Sequence, residues 1–198
     1  MKTVAILFAA VLLVVAVDVP VMAESFYAAF DAGRSTAEGV CNNASVPAGS
    51  TFAGCRETGH MYRIAGGYKF ARMWGAEIGY GEYGNSSMGI ANIPGNGKLH
   101  LGDWKLSGLE VSGTGAFPIT ERLAILAKAG LARTMLKFTP SCRSVIGNNF
   151  AYGIGAEFAF NGRFAIRAQY ENLGKVGNAN SAGKVKVSMF SAGIVLGF

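Results

Sequence analysis

The chain has 198 residues, of which 28 are Gly, 15% are charged and 51% are hydrophobic, and it carries a formal charge of +6. That length suits one domain better than two, and a mean hydropathy of +0.30 is high for a chain surrounded by water. Beyond residue 23 no apolar run approaches the ~20 residues that a membrane helix needs, so a helical span is excluded and two options remain: a large buried core, or a membrane protein built from strands.

Residues 1–23 read as a signal peptide. Lys2 supplies the positive start, residues 4–17 the apolar stretch, and Val21-Met22-Ala23 the small residues before a cleavage site. The apolar stretch is too short to span, and Asp18 and Pro20 end it. The domain plan is therefore a cleaved segment 1–23 and a single domain 24–198. Removing the segment takes away one base, Lys2, and one acid, Asp18, so the charge stays at +6. Export separates this positive charge from nucleic acid and makes acidic lipid head groups the natural partner. The bases are scattered along the chain and read as a solvated rim.

The remainder alternates with a period of two, the mark of strands with two unlike faces. The first strand, 25–34, sets Phe26, Ala28, Phe30 and Ala32 against Tyr27, Ala29, Asp31 and Gly33. A long Ser/Asn/Gly stretch, 35–58, holds Cys41 and Cys55, which an oxidising compartment would join across a loop. Strand 59–70 sets Tyr62, Ile64, Tyr68 and Phe70 against Met61, Arg63, Ala65 and Lys69. After a tight turn, strand 73–83 carries Trp74, Ile78 and Tyr80 on one face and Glu77 between glycines on the other. A second long connection, 84–103, leads to strand 104–117, with Leu109, Val111 and Phe117 opposite Glu110, Ser112 and Thr114.

A short turn at 118–122 precedes strand 123–133, where Leu123, Ile125 and Leu131 oppose Ala124, Leu126 and Lys128. The third long connection, 134–148, contains Cys142, and its Met135, Leu136 and Phe138 suggest strands that outrun the bilayer. Strand 149–160 alternates Tyr152, Ile154 and Phe158 with Gly153, Gly155 and Glu157. Asn161-Gly162 is a strong hairpin signal. Strand 163–172 sets Phe164, Ile166 and Tyr170 against Arg167, Gln169 and Glu171, and a connection over 173–183 leads to the last strand, 184–198. There Phe190, Ala192, Ile194, Leu196 and Phe198 form one apolar face.

Eight strands joined by alternating long and short connections predict an all-β, antiparallel, up-and-down transmembrane barrel, with long external loops and short periplasmic turns. A water-soluble eight-stranded barrel, such as a lipocalin, would turn its apolar face inward. Here the non-aromatic face is rich in Gly and holds few charges: Glu77, Glu110, Lys128, Glu157 and Arg167. That suits a narrow lumen lined with small residues and paired charges better than a solvated exterior. Aromatic residues near strand ends, Tyr62, Phe70, Trp74, Tyr83, Trp104, Phe117, Tyr152, Phe160 and Phe164, read as interfacial girdles.

The segments Trp74-Gly-Ala-Glu-Ile-Gly-Tyr80, Gly115-Ala-Phe-Pro-Ile-Thr120, Ala127-Lys-Ala-Gly-Leu131, Gly153-Ile-Gly-Ala-Glu-Phe158 and Ala165-Ile-Arg-Ala-Gln-Tyr170, in this order and followed by the Phe-ended strand, resemble the OmpA-like transmembrane domain family. The resemblance implies a monomer in the outer membrane of a Gram-negative bacterium, in contact with lipid and lipopolysaccharide. It implies insertion by the barrel-assembly machinery, with Ile194, Leu196 and Phe198 as the assembly signal. It also implies that Glu77, Lys128, Glu157 and Arg167 occupy positions where the family places lumen charges whose salt bridges plug or gate a pore. The family often has a lumen Lys where this chain has Thr114, and no peptidoglycan-binding domain is expected after the barrel.

Three functions compete. An eight-stranded barrel is filled by its own side chains, which favours a structural or surface-interaction role carried by the loops, with a host or surface ligand. A narrow channel is the alternative, cation-favouring because three acids face two bases in the expected lumen set. An enzyme needs a nucleophile, a base and an orienting acid close together. The only two His, His60 and His100, sit at a strand start and in a loop, so no enzyme is expected. No metal or other cofactor is expected either, since the Gly pairs lie in strands and none opens a helix.

Overall fold

The computed structural model describes residues 25–39, 41, 51–93, 97–139, 143–176 and 185–198. The expected signal peptide and Cys142 fall outside this set. Nine strands follow in chain order: β1 Ser25–Glu38, β2 Thr51–Gly54, β3 Thr58–Lys69, β4 Trp74–Ile93, β5 Gly97–Pro118, β6 Leu123–Thr139, β7 Arg143–Ala159, β8 Phe164–Val176 and β9 Val185–Gly197.

Eight of them close on themselves. β1 pairs with β3 on one side and with β9 on the other, and the pairing of β4 with β5 completes the ring. Every pairing is antiparallel. β1 and β9, the first and last barrel strands, stay in unbroken register from Tyr27↔Gly197 to Glu38↔Lys186. Closure leaves no bare strand edge in the hydrocarbon, where an unpaired amide is costly. The ninth strand, β2, lies in the stretch expected to be loop and adds to the far end of β4 through Thr51↔Asn92 and Phe52↔Ala91.

The short turns are built from local hydrogen bonds. Asn161 Oδ1 accepts from the Arg163 and Phe164 amides at 2.9 and 2.8 Å. Thr120 Oγ1 does the same for Arg122 and Leu123 at 3.3 and 3.0 Å. Side-chain acceptors of this kind set tight turns. At the other end β4 and β5 run for 20 and 22 residues and β6 and β7 for 17 each, well beyond the ~9–11 residues that cross a bilayer. Much of 84–103 and 134–148, expected as loop, is therefore ladder. Its polar composition is that of strands standing in water.

The outward face of the lower barrel is apolar. Phe30, Trp74, Ile78, Val111, Leu131, Ile154, Phe190 and Ile194 are 42–67% exposed, as a lipid-facing band must be. Above that band the pattern inverts. Met61, Trp104, Leu106, Leu136, Val187 and Met189 point inward and are at most 2% exposed, while Arg34, His60, Lys105, Arg133, Lys137 and Lys186 point outward. Two aromatic residues expected in the girdles belong to this interior: Tyr83 and Trp104 are fully buried. Trp104 shares the parity of Glu110 and Ser112, and Tyr83 sits at the irregularity between Glu82 and Gly84. A second irregularity, Asn172 to Lys175, turns Leu173 inward. Gly174 there adopts φ +71°, a left-handed conformation that suits glycine.

Candidate functional site

The barrel interior at mid-height holds seven charged side chains on six strands. The acids are Asp31 on β1, Glu77 on β4, Glu110 on β5 and Glu171 on β8. The bases are Arg63 on β3, Lys128 on β6 and Arg167 on β8. All seven side chains are 0–8% exposed.

Strand register explains how they meet. Arg167 pairs with Gly193, Gly193 with Asp31, and Asp31 with Arg63. With no side chain at Gly193, Arg167 reaches across β9 and holds Asp31 with two bonds, Nε to Oδ1 at 2.8 Å and Nη2 to Oδ2 at 2.7 Å. A Cβ on Gly193 would collide with Asp31 Oδ1. Arg63 takes the same carboxylate from the other side at 2.9 Å. The second row runs Thr114, Lys128, Gly153, Glu171. Lys128 Nζ crosses the gap at Gly153 to reach Glu171 at 2.9 Å.

Glu77 ties the two rows together. Its carboxylate lies 2.8 Å from Arg167, 3.0 Å from Lys128 and 3.4 Å from Arg63, and it accepts the Tyr27 hydroxyl at 3.1 Å. Glu110 sits 2.9 Å from Lys128 and 3.4 Å from Arg63. Buried charges persist when each is paired and hydrogen-bonded, because desolvation is otherwise prohibitive. Above this layer lies the apolar interior of the outer barrel. Below it, at the short-turn end, Tyr27, Lys69 and Glu157 line a cavity of about 40 Å³, room for a few waters.

The model of the OmpA-like transmembrane domain matches residues 21–198. The chain belongs to that family. It is 27% identical over 171 residues to outer membrane protein P5 of Haemophilus influenzae, an alignment covering 77% of this chain and 46% of that protein. The chain thus spans about half the length of the curated relative it matches. Among solved structures it resembles Neisserial surface protein A, with a TM-score of 0.58 at 20% identity over 87% of this chain and 97% of the other. It also resembles OprG of Pseudomonas aeruginosa, with a TM-score of 0.54 at 13% identity over 88% and 97%. At these identities the likeness is one of fold, and the fold is the eight-stranded outer-membrane barrel. This OmpA-like protein is accordingly an outer-membrane protein of a Gram-negative bacterium.

Within this OmpA-like barrel Glu77, Glu110, Lys128 and Arg167 come together as one group. Glu157 stands apart near the short-turn mouth, 14% exposed and 3.8 Å from Lys69. Although it lies directly opposite Arg167, that guanidinium turns toward Asp31 and Glu77. Asp31, Arg63 and Glu171 were missing from the expected set. Parity would have found them, since each shares the face of the small or charged residues on its own strand. Thr114 stands directly opposite Lys128 on the next strand. Cys41 and Cys55 form a disulfide, Cα to Cα 5.8 Å. It lies where Ala37 N donates to Glu57 O at 2.8 Å, and so links the outer ends of β1 and β3. Phe198 N donates to Phe26 O at 2.8 Å, and Ile194 and Leu196 face lipid.

Proposed function

We propose that this protein is a closed, non-conducting barrel with a structural and surface-facing role, its outer strands and connections being the parts that meet partners. One observation supports the reading: side chains occupy the interior at two levels, the seven-charge layer and the buried apolar cluster above it. Paired guanidinium and carboxylate groups leave little room for ions, and an apolar constriction resists wetting. On this reading residues 1–23 direct export and are cleaved, the assembly machinery reads the Ile194, Leu196 and Phe198 face, and the folded barrel works as a monomer among lipids. No enzymatic step belongs to the reading. His60 points outward in register with Arg34, away from the buried acids.

Planar-bilayer recording tests the proposal. The purified protein should give no unitary steps at either polarity, while the boiled and unboiled protein should differ in gel mobility. Steady single-channel currents from heat-modifiable protein would overturn closure without touching the fold.

A second reading, a narrow cation path, has its own support. Four acids face three bases in the buried mid-height layer, and Ser112, Ser191 and the Gln169 amide nitrogen are buried without a protein hydrogen-bond partner. Such groups ordinarily hold water. The same recordings decide between the two.

A further inference from the structure

The outer mouth of the barrel is covered by its own chain. β1 ends at Glu38, and Gly39 follows with φ +90°, a left-handed turn that glycine adopts without strain. Beyond the turn, Cys41 packs on the buried apolar cluster that contains Met61, Trp104 and Val187. Its disulfide partner, Cys55, opens a short strap, residues 55–57, that leads into β3.

Three hydrogen bonds hold the strap. Glu57 O accepts from Ala37 N at 2.8 Å, and Glu57 Oε1 accepts from Gly39 N at 2.9 Å. The third bond crosses the mouth: Trp104 Nε1, on β5, donates to Arg56 O at 3.2 Å. Gly84 on β4 leaves room for this indole, since a Cβ there would meet the ring. Trp104 is thus fully buried beneath the strap, and its one polar side-chain atom is bound to it.

Both cysteines are half-buried, so a thiol from solution can reach the bond. With the bond intact the ends of the strap cannot part. With it broken, these hydrogen bonds and the few pairs of β2 with β4 are what hold the cover among the described residues. Water at the mouth offers each of those groups another partner. By its effect on chain entropy, a crosslink of sequence separation 14 restrains local opening on the order of a hundredfold.

We propose that the Cys41–Cys55 disulfide is a redox-sensitive latch on the outer mouth. Oxidised, it holds residues 55–57 down over Trp104; reduced, it releases them and opens the apolar upper interior to the medium. The reductant is an external dithiol. One of its thiolates attacks a sulfur of the bond and forms a mixed disulfide, which its second thiol resolves. Two electrons and two protons pass to Cys41 and Cys55, which become thiols, and the reagent becomes a disulfide. The charge layer beneath is untouched, so the latch governs access to the upper interior and not passage through the barrel.

The test uses the full-length protein in phosphatidylcholine vesicles with and without dithiothreitol, the state of Cys41 and Cys55 being checked by alkylation and peptide mass spectrometry. Trp74 and Trp104 are the two tryptophans, so W74F leaves Trp104 as the single reporter. On reduction, acrylamide quenching of Trp104 should rise toward that of an exposed indole. Hydrogen exchange at the Ala37 amide should speed up on the order of a hundredfold. Reoxidation should reverse both changes. C41S/C55S should show the reduced values with or without dithiothreitol; if it fails to fold, the reduced native chain decides on the same readings. Unchanged quenching and exchange in protein alkylated at both cysteines would overturn the latch. So would a bond that resists dithiothreitol in the folded barrel. Loss of heat-modifiable mobility on reduction would overturn it as well, since the bond would then hold the barrel and not its cover. Bilayer currents from the oxidised protein would remove the closed-barrel reading instead, and leave the latch to stand or fall on quenching and exchange.

Discussion

A single carboxylate, Glu77, touches all three bases of the lumen, and this shared contact makes the interior one unit instead of three separate pairs. Replacing Arg167 with Met leaves Asp31 and Glu77 each short of a partner in a site with almost no solvent. Breaking a buried pair in this way costs about 3–5 kcal/mol, and urea unfolding of the refolded barrel should show a loss of that size. Glu157→Gln, at the wetter mouth, should change stability by less than about 1 kcal/mol. Equal effects would mean that the network does not act as the core of the barrel. Gly193 and Gly66 make a second pair. A methyl on Gly193 would meet the Asp31 carboxylate, whereas Gly66 faces open space. Gly193→Ala should therefore lower the urea midpoint clearly and Gly66→Ala barely move it.

Each barrel strand reads in two registers along its length. On β9, Val185, Val187 and Met189 are buried in the interior, whereas Phe190, Ile194 and Leu196, on the opposite face, meet lipid. A charge placed on the lipid face should therefore be tolerated high on the strand and not low. Ile194→Lys should cost about 2–4 kcal/mol, as a base near the bilayer midplane does, and should reduce the heat-modifiable fraction on semi-native gels. Ser188→Lys, above the band, should stay near neutral. The same change of pattern explains what was legible in the sequence. The lower halves alternate apolar with small or charged residues, so their strands, faces and short turns could be read directly. The upper halves alternate polar with apolar in the opposite sense, and their Ser, Asn and Gly content imitates loop. Parity carried through the whole strand would have placed Trp104 inside and added Asp31, Arg63 and Glu171 to the lumen set. The choice of partners was not legible. Arg167 could have taken Glu157, its direct neighbour, and only the missing side chain at Gly193 sends it to Asp31.

As a whole, the molecule is two barrels on one set of strands. The lower one is apolar outside and charged within, and the upper one is charged outside and apolar within. A barrel that enters the membrane from its short-turn side must carry the exposed Lys and Arg of its upper half through the hydrocarbon, at about 2–4 kcal/mol for each base at the midplane. The finished structure feels none of this, because those bases end in water or among head groups. The two halves therefore govern different quantities. The greasy lower face determines how firmly the protein is held at equilibrium, and the charged upper face determines how slowly it arrives. Since the same bases would have to cross again to leave, the barrier that delays insertion also acts as a ratchet against escape.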